Sequence, residues 1–64
     1  MQIQSKKIRV LMARSGLTQS KLSEMSGISR QSISTILSRG SCSPKNAGKL
    51  AEALGVDVLA IVVG

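Results

Sequence analysis

The sequence predicts an all-α fold, in which residues 1–64 form one domain of five short helices. Small capping residues and glycines alternate along the chain where helices would begin and end, and apolar residues recur between them at helical spacing. Hydrophobic residues make up 42% of the chain, and none is aromatic. The core therefore consists of aliphatic side chains, which suit short packed helices, and a chain of this length has room for one such core.

The first helix is predicted from about Ser5 to Ser15. Its apolar face is formed by residues at the i, i+3, i+4, i+7 spacing, namely Ile8, Leu11, Met12 and Ser15. Gly16 follows, and glycine is the residue type that most often ends a helix.

Four further helices are predicted, each after a residue whose side chain can accept a hydrogen bond from a free backbone N–H. Their ranges are about Gln19 to Ser26, Arg30 to Arg39, Pro44 to Leu54, and Val58 to Val62. The predicted caps are Thr18, Ser29, Ser43 and Asp57, and the glycines that end the preceding helices are Gly16, Gly27, Gly40 and Gly55. The last element is the most ambiguous, because a short run of β-branched residues is equally typical of a strand. Asp57 favours a helix there.

Hydrophobic staples support this helix register. In a staple, the residue before the cap packs against the fourth helical residue. The four candidate pairs are Leu17 with Leu22, Ile28 with Ile33, Cys42 with Ala47, and Val56 with Ile61. Both members are apolar in every pair, which favours the register over coincidence.

The charge distribution favours a polyanionic partner. The chain has nine Lys or Arg residues against three acids, a net charge of +6, and no acid between Met25 and Ala51. This window should carry a positive potential that attracts nucleic acid. A solvated basic surface without a specific partner is the alternative.

Helices 2 and 3 are short, apolar on one side and joined through Gly27, Ile28 and Ser29, which is the geometry of a helix-turn-helix. The chain resembles the lambda repressor and Cro-like (XRE-like) helix-turn-helix family over nearly its whole length. The matching residues are Leu17, Thr18, Gln19, Leu22, Gly27, Ile28, Ser29, Ile33, Ile36 and Gly40, followed by "SPKNAGKLAEALGV". The resemblance implies a compact five-helix, lambda-repressor-like domain that reads double-stranded DNA with helix 3.

Helix 3 presents small polar side chains opposite its apolar face. Such a face can approach base edges in a major groove. The predicted base-contacting residues are Arg30, Gln31, Ser34 and Thr35. Gln31 is the principal candidate, because an amide can pair in bidentate fashion with adenine. The alternative is that serines are merely tolerated on a solvated surface, an interpretation that also suits Ser38.

A second set of residues is predicted to contact the DNA backbone. The resemblance implies this role for Gln19, which stands in the first turn of helix 2, where free N–H groups favour an anion. The complete predicted set is Gln19, Ser32, Arg39, Ser41, Ser43, Lys45 and Asn46. Lys49 is equally compatible with ordinary solvation.

A homodimer on a palindromic operator is expected, because one such module binds weakly alone. The candidate subunit contacts are Leu59, Ile61, Val62 and Val63, which could instead close the core of their own protomer. Repression by blocking polymerase is the expected outcome, although activation uses the same module.

The main alternative function is a protein-interaction module, such as the antitoxin of a toxin–antitoxin pair. Membrane-surface binding by helix 1 is disfavoured, because the core needs its apolar face.

Catalysis, metals and cofactors are not expected. The chain has no His, three carboxylates and one cysteine, which is too few groups for a zinc site or an acid–base–nucleophile constellation. The absence of a signal peptide or a long apolar run suggests a cytoplasmic protein, and the family resemblance implies a bacterial or phage origin. Cys42 is interpreted as the apolar partner of Ala47, with redox sensing as the alternative.

Two departures from the family pattern generate structural expectations. Ser23 stands where many members have alanine, and its hydroxyl is expected to bond a carbonyl one turn back. Met12 and Leu37 stand where members often have an Arg–Glu pair, so an apolar contact is expected in place of a buried ion pair.

Overall fold

The computed structural model describes residues 1–63 and contains four α-helices followed by one short 3-10 turn. The helices are α1 (Ser5–Ser15), α2 (Gln19–Ser26), α3 (Arg30–Arg39) and α4 (Pro44–Leu54). These are the four ranges predicted from the sequence. Within residues 1–63 no helix is long and apolar enough to cross a membrane.

The predicted fifth helix, Val58 to Val62, is wrong in type and length. A 3-10 turn occupies Val58–Ala60, so the fold has four α-helices rather than five. Asp57 does cap this turn, since its Oδ1 accepts from the Leu59 N–H at 2.8 Å. The N–H groups of Ile61 and Val62 still bond to the Val58 carbonyl, but the Val63 N–H donates to Gln2 and the Ile61 carbonyl accepts from Gln4, so pairing with another part of the chain ends the turn there.

The other predicted caps and stops are confirmed. Thr18, Ser29 and Ser43 each accept from a backbone N–H three residues on, at 3.1 to 3.2 Å. The glycines after all four α-helices adopt left-handed backbone, with φ between 68° and 74°. At Gly27 this conformation turns the chain sharply from α2 into the cap of α3, a geometry that strains residues bearing a Cβ.

An extended leading segment, Met1–Gln4, is a feature that the sequence analysis missed. It forms antiparallel bridges with Ser41 on one side and Val62 on the other. A sequence signal for it exists, because apolar and polar residues alternate from residue 1 to residue 4 with the period of a strand. The helix immediately after it obscured this short pattern.

The core lies where the helices converge. α2 packs against α3 and α4, α1 packs against α3, and the 3-10 turn packs against α4. The largest fully buried side chains are Ile8, Leu22, Ile33, Leu50 and Ile61. Among residues 1–63 no polar or charged residue is buried, so burial of aliphatic surface holds the fold together.

Met12 and Leu37 are both buried in this core and line one depression. The place where family members often keep an ion pair is therefore apolar here, as expected from the sequence. No charge has to be desolvated at this position.

The expected hydrogen bond of Ser23 is wrong in its partner. Its hydroxyl donates to the Ile28 carbonyl at 2.6 Å, five residues ahead. This carbonyl lies at the helix-turn-helix corner, just before the Ser29 cap, where it has no helical N–H to pair with. The bond therefore ties the end of α2 to the turn that positions α3.

Gly48 offers a stability test that leaves the core unchanged. It lies exposed in α4, and an added Cβ would meet no atom within 4 Å. We expect Gly48→Ala to raise the free energy of unfolding by about 0.5–1 kcal/mol, because glycine loses more backbone entropy in a helix interior. Urea unfolding followed by circular dichroism measures the difference. Gly55→Ala is the matched control and should destabilise, since φ there is 73°; a gain at both positions would contradict this explanation.

Candidate nucleic-acid interface

α3 separates an apolar face from a polar one. Ile33, Ile36 and Leu37 are buried. The opposite face is exposed and comprises Gln31, Ser32, Ser34, Thr35 and Ser38, with Arg30 at its beginning. The four residues predicted to contact bases, Arg30, Gln31, Ser34 and Thr35, therefore all lie on the surface, and we call them the reading face.

Hydrogen bonds within α3 occupy some of these polar groups and leave others free. The Thr35 hydroxyl donates to the Gln31 carbonyl at 3.0 Å, which uses its proton inside the helix. The Ser29 hydroxyl donates to the Ser32 hydroxyl at 2.9 Å. Within residues 1–63 the Gln31 side-chain amide has no such intramolecular bond, so its donor and acceptor are both available to an adenine edge.

A shallow depression of about 320 Å³ lies beside the reading face. Gln31, Ser32, Thr35, Ile36 and Asn46 line it. Gln31 and Thr35, which are predicted to contact bases, thus share one surface with Ser32 and Asn46, which are predicted to contact the DNA backbone. Asn46 comes from α4 and the other three from α3. This proximity suits a duplex, in which base edges and phosphates lie side by side.

The connection from α3 to α4 carries most of the other predicted backbone contacts. Arg39 and Lys45 are exposed, and Ser41 is half-buried. The Ser43 Oγ accepts from the Asn46 N–H at 3.2 Å, while its hydroxyl proton stays available as a donor. Pro44 has no N–H, and the N–H groups of Asn46 and Ala47 bond to Ser43, so among the described residues only the Lys45 N–H is left free in the first turn of α4, where the helix dipole favours an anion.

Arg9, on α1, is a candidate contact to which the sequence analysis assigned no role. Arg9 is exposed and lines a depression of about 240 Å³ together with Gln19, Met12 and Leu37. A cation therefore stands next to the predicted phosphate contact in the first turn of α2. Helical periodicity alone could not reveal this, because the neighbour comes from a different helix.

The electrostatics of the surface match this arrangement. The one ion pair among the described residues joins Lys21 Nζ to Glu24 Oε2 at 3.5 Å on the exposed side of α2. Arg30, Arg39 and Lys45 therefore have no carboxylate partner within residues 1–63. Their uncompensated charge attracts a polyanion to the side of the molecule formed by α3 and the start of α4.

The candidate subunit contacts differ in accessibility. Leu59 is 77% exposed and Val63 is 53% exposed, whereas Val62 is half-buried. Ile61 is completely buried within the protomer, so it offers no surface to a second copy. Ile61 therefore packs in the core of its own protomer, which was the alternative for this stretch. The apolar surface left for a second copy consists of Leu59, Val63 and part of Val62.

Cys42 lies half-buried against the core. Burial raises the pKa of its thiol, and the positive charge of the Met1 amino group opposes part of that rise. A raised pKa disfavours the reactive thiolate near neutral pH, which agrees with the interpretation of Cys42 as an apolar packing residue. No group of three His, Cys, Asp or Glu side chains within residues 1–63 could hold a metal ion.

Comparison with known proteins identifies one family. The model of a helix-turn-helix family, HTH_3, matches residues 6–61, which span α1 through the 3-10 turn and include the whole reading face. No curated protein and no solved structure matches the chain.

Proposed function

This chain belongs to the XRE/lambda repressor-like helix-turn-helix family, and we propose that it is a sequence-specific transcriptional repressor of the phage repressor and Cro type. DNA binding and transcription regulation are the general functions of the family. The observation that carries the proposal is the exposed reading face on α3, which lies in an acid-free stretch of the sequence whose cations Arg30, Arg39 and Lys45 have no carboxylate partner among the described residues. No feature of this face suits catalysis.

In the proposed complex, α3 lies in the major groove with its reading face toward the base edges. Gln31 pairs with adenine N6 and N7 through its free amide. Arg30 reaches guanine O6 and N7 or a phosphate. Thr35, whose hydroxyl proton is used by the Gln31 carbonyl, packs its methyl group against a thymine methyl, and Ser34 bonds a base edge or a phosphate.

Phosphate contacts on both sides of α3 hold it in register. We propose one group at the first turn of α2, where Gln19 and Arg9 share a depression. The other lies at the entrance to α4 and comprises Arg39, Ser41, Ser43, Lys45 and Asn46, together with Ser32 on α3 itself. Such contacts supply affinity and orientation but carry no sequence information.

We further propose that two copies bind a palindromic operator. A single module of this kind buries about 600–1,000 Å² on DNA, so specific affinity requires a second copy on a half-site about 34 Å away. The exposed apolar side chains of Leu59 and Val63, with the accessible part of Val62, form the proposed subunit contact. Because this surface is small, we expect dimerisation to be strengthened by DNA.

Salt titration of duplex binding tests the proposal. The logarithm of affinity should fall linearly with the logarithm of salt concentration, because bound phosphates release counterions. Lys45→Gln should reduce the slope by about one, the contribution of one lysine–phosphate contact. Lys21→Gln is the matched control, and its slope should stay at the wild-type value because Glu24 already pairs with Lys21. No duplex binding at any salt concentration would instead favour a protein-interaction module such as an antitoxin.

A further inference from the structure

The loop between α3 and α4, Gly40–Ser43, depends on the leading segment for its position. The Ile3 N–H donates to the Gly40 carbonyl at 2.9 Å, and the Cys42 N–H donates to the Met1 carbonyl at 2.9 Å. Within residues 1–63, the only other backbone hydrogen bonds of this loop are those to its two flanking helices. The leading segment is therefore the loop's sole backbone attachment to the rest of the fold.

The leading segment is itself firmly anchored. Ile3 is only 4% exposed and belongs to the core. On the side away from the loop, the Gln4 N–H donates to the Ile61 carbonyl at 2.7 Å, and the Gln4 side-chain amide donates to the Val62 carbonyl at 3.0 Å. Ile61 is completely buried, so these bonds connect the segment to the backbone of a core residue and its neighbour.

We propose that the leading segment is a positioning element for DNA binding, with Ile3 as its anchor. It holds the loop so that Ser41, Ser43 and Lys45 meet the phosphates while α3 occupies the groove. This inference rests on the proposed function. The physical reason is entropic: ordering four free residues costs more than one phosphate contact returns, so a loop that is free to move does not make the contact, whereas a loop already held in place does.

The packing around Gly40 agrees with this role. A Cβ at Gly40 would lie 3.6 Å from the Ser5 Oγ and 3.8 Å from the Ile3 carbonyl oxygen, which is ordinary contact distance. The end of α3, the leading segment and the start of α1 therefore touch at one point. A displacement of Ile3 is transmitted directly to the residue that begins the loop.

The test compares salt dependence of duplex binding among three variants. Ile3→Ala should lower the salt slope by about one: a loosened loop no longer holds the Ser43 cap in place, so Lys45, in the first turn of α4 that this cap begins, loses its contact. Ile3→Val keeps most of the anchor and should restore the wild-type slope. Leu54→Ala is the control for destabilisation, because it removes a half-buried side chain at the end of α4. A loss of folded protein alone reduces the apparent affinity in proportion but leaves the salt slope unchanged.

A double-mutant cycle sharpens the same test. Lys45→Gln should lower the slope in the wild-type background and have no further effect in Ile3→Ala, since the contact is already lost there. If Ile3→Ala does not fold, chemical synthesis can replace the Ile3 peptide N–H by an ester oxygen. This change removes one hydrogen bond and keeps the side chain, and the same drop in slope is expected.

The outcomes separate this inference from the proposed function. A wild-type chain that shows no salt-dependent duplex binding overturns both. A wild-type chain that binds, with Ile3→Ala and the ester variant retaining its slope, overturns the positioning role and leaves the proposed function intact. A reduced slope in the anchor variants, rescued in Ile3→Val, supports the positioning role.

Discussion

Replacing Ile33 by alanine should unfold a large fraction of the protein. Ile33 is completely buried, and truncating such a side chain costs about 2–5 kcal/mol through lost transfer energy and the cavity left behind. A single domain of this size rarely has more than about 5 kcal/mol of stability. Urea unfolding at low temperature, followed by circular dichroism, should therefore show a midpoint near or below zero denaturant for Ile33→Ala.

Ile33→Val provides the matched control at the same site. It removes one methyl group and should cost only about 0.5–1.5 kcal/mol, so the variant should remain folded. Because Ile33 faces away from the reading face, Ile33→Val should also bind the same duplex sequence as wild type. A similar stability for wild type and Ile33→Ala would mean that α3 is not held by its apolar face, and the orientation of the reading face would have to be revised.

Local signals account for the success of the sequence analysis over α1 to α4. Each boundary after the start of α1, which has no side-chain cap, depends on a cap such as Ser29 or a left-handed glycine such as Gly27, and both act within a few residues of the helix they delimit. The orientation of α3 follows equally locally, since burying Ile33 forces Gln31 and Thr35 outward at 100° per residue. Interactions within α3 were therefore sufficient to predict that the reading face is exposed.

The parts that the sequence analysis missed are non-local. The run from Val58 to Val62 has both a helix cap and β-branched residues, and pairing with a segment about sixty residues away decides between the two structures. The juxtaposition of Arg9 with Gln19 likewise needs two helices to pack. Ser23 is a local exception, because its partner five residues on is set by the geometry of the turn. Of these features only the leading segment has a periodic signature, and its alternation does not identify the segment with which it pairs.

The reduction of the proposed subunit contact has a different origin, because a local signal for the burial of Ile61 was present in the sequence. Apolar content alone marked the stretch from Leu59 to Val63, but the hydrophobic staple with Val56 had already assigned Ile61 to the core. The structure buries Ile61 and leaves Leu59 and Val63 exposed. The pairing of Val56 with Ile61 in the staple therefore predicts that Ile61 is buried in its own protomer.

Replacing Gln31 by alanine should relax sequence recognition without weakening nonspecific binding. Selection from random duplexes should enrich a palindromic site for wild type. For Gln31→Ala one base position in each half-site should lose its preference, at a cost of about 1–3 kcal/mol in discrimination, because the bidentate amide contact is gone. Affinity for unrelated DNA and the salt slope should stay unchanged, since phosphate contacts determine both.

Ser38→Ala is the matched control for this experiment. Ser38 lies exposed on the same side of α3 but near its C-terminal end, where a solvated role is the simpler interpretation. Its selected site should equal that of wild type. Gln31 is itself exposed, so its truncation cannot act through lost packing, and a changed site must reflect a lost DNA contact. If Gln31→Ala selects the wild-type sequence with undiminished preference at every position, Gln31 does not read a base, and recognition must come from Arg30, Ser34 and Thr35 or from DNA shape.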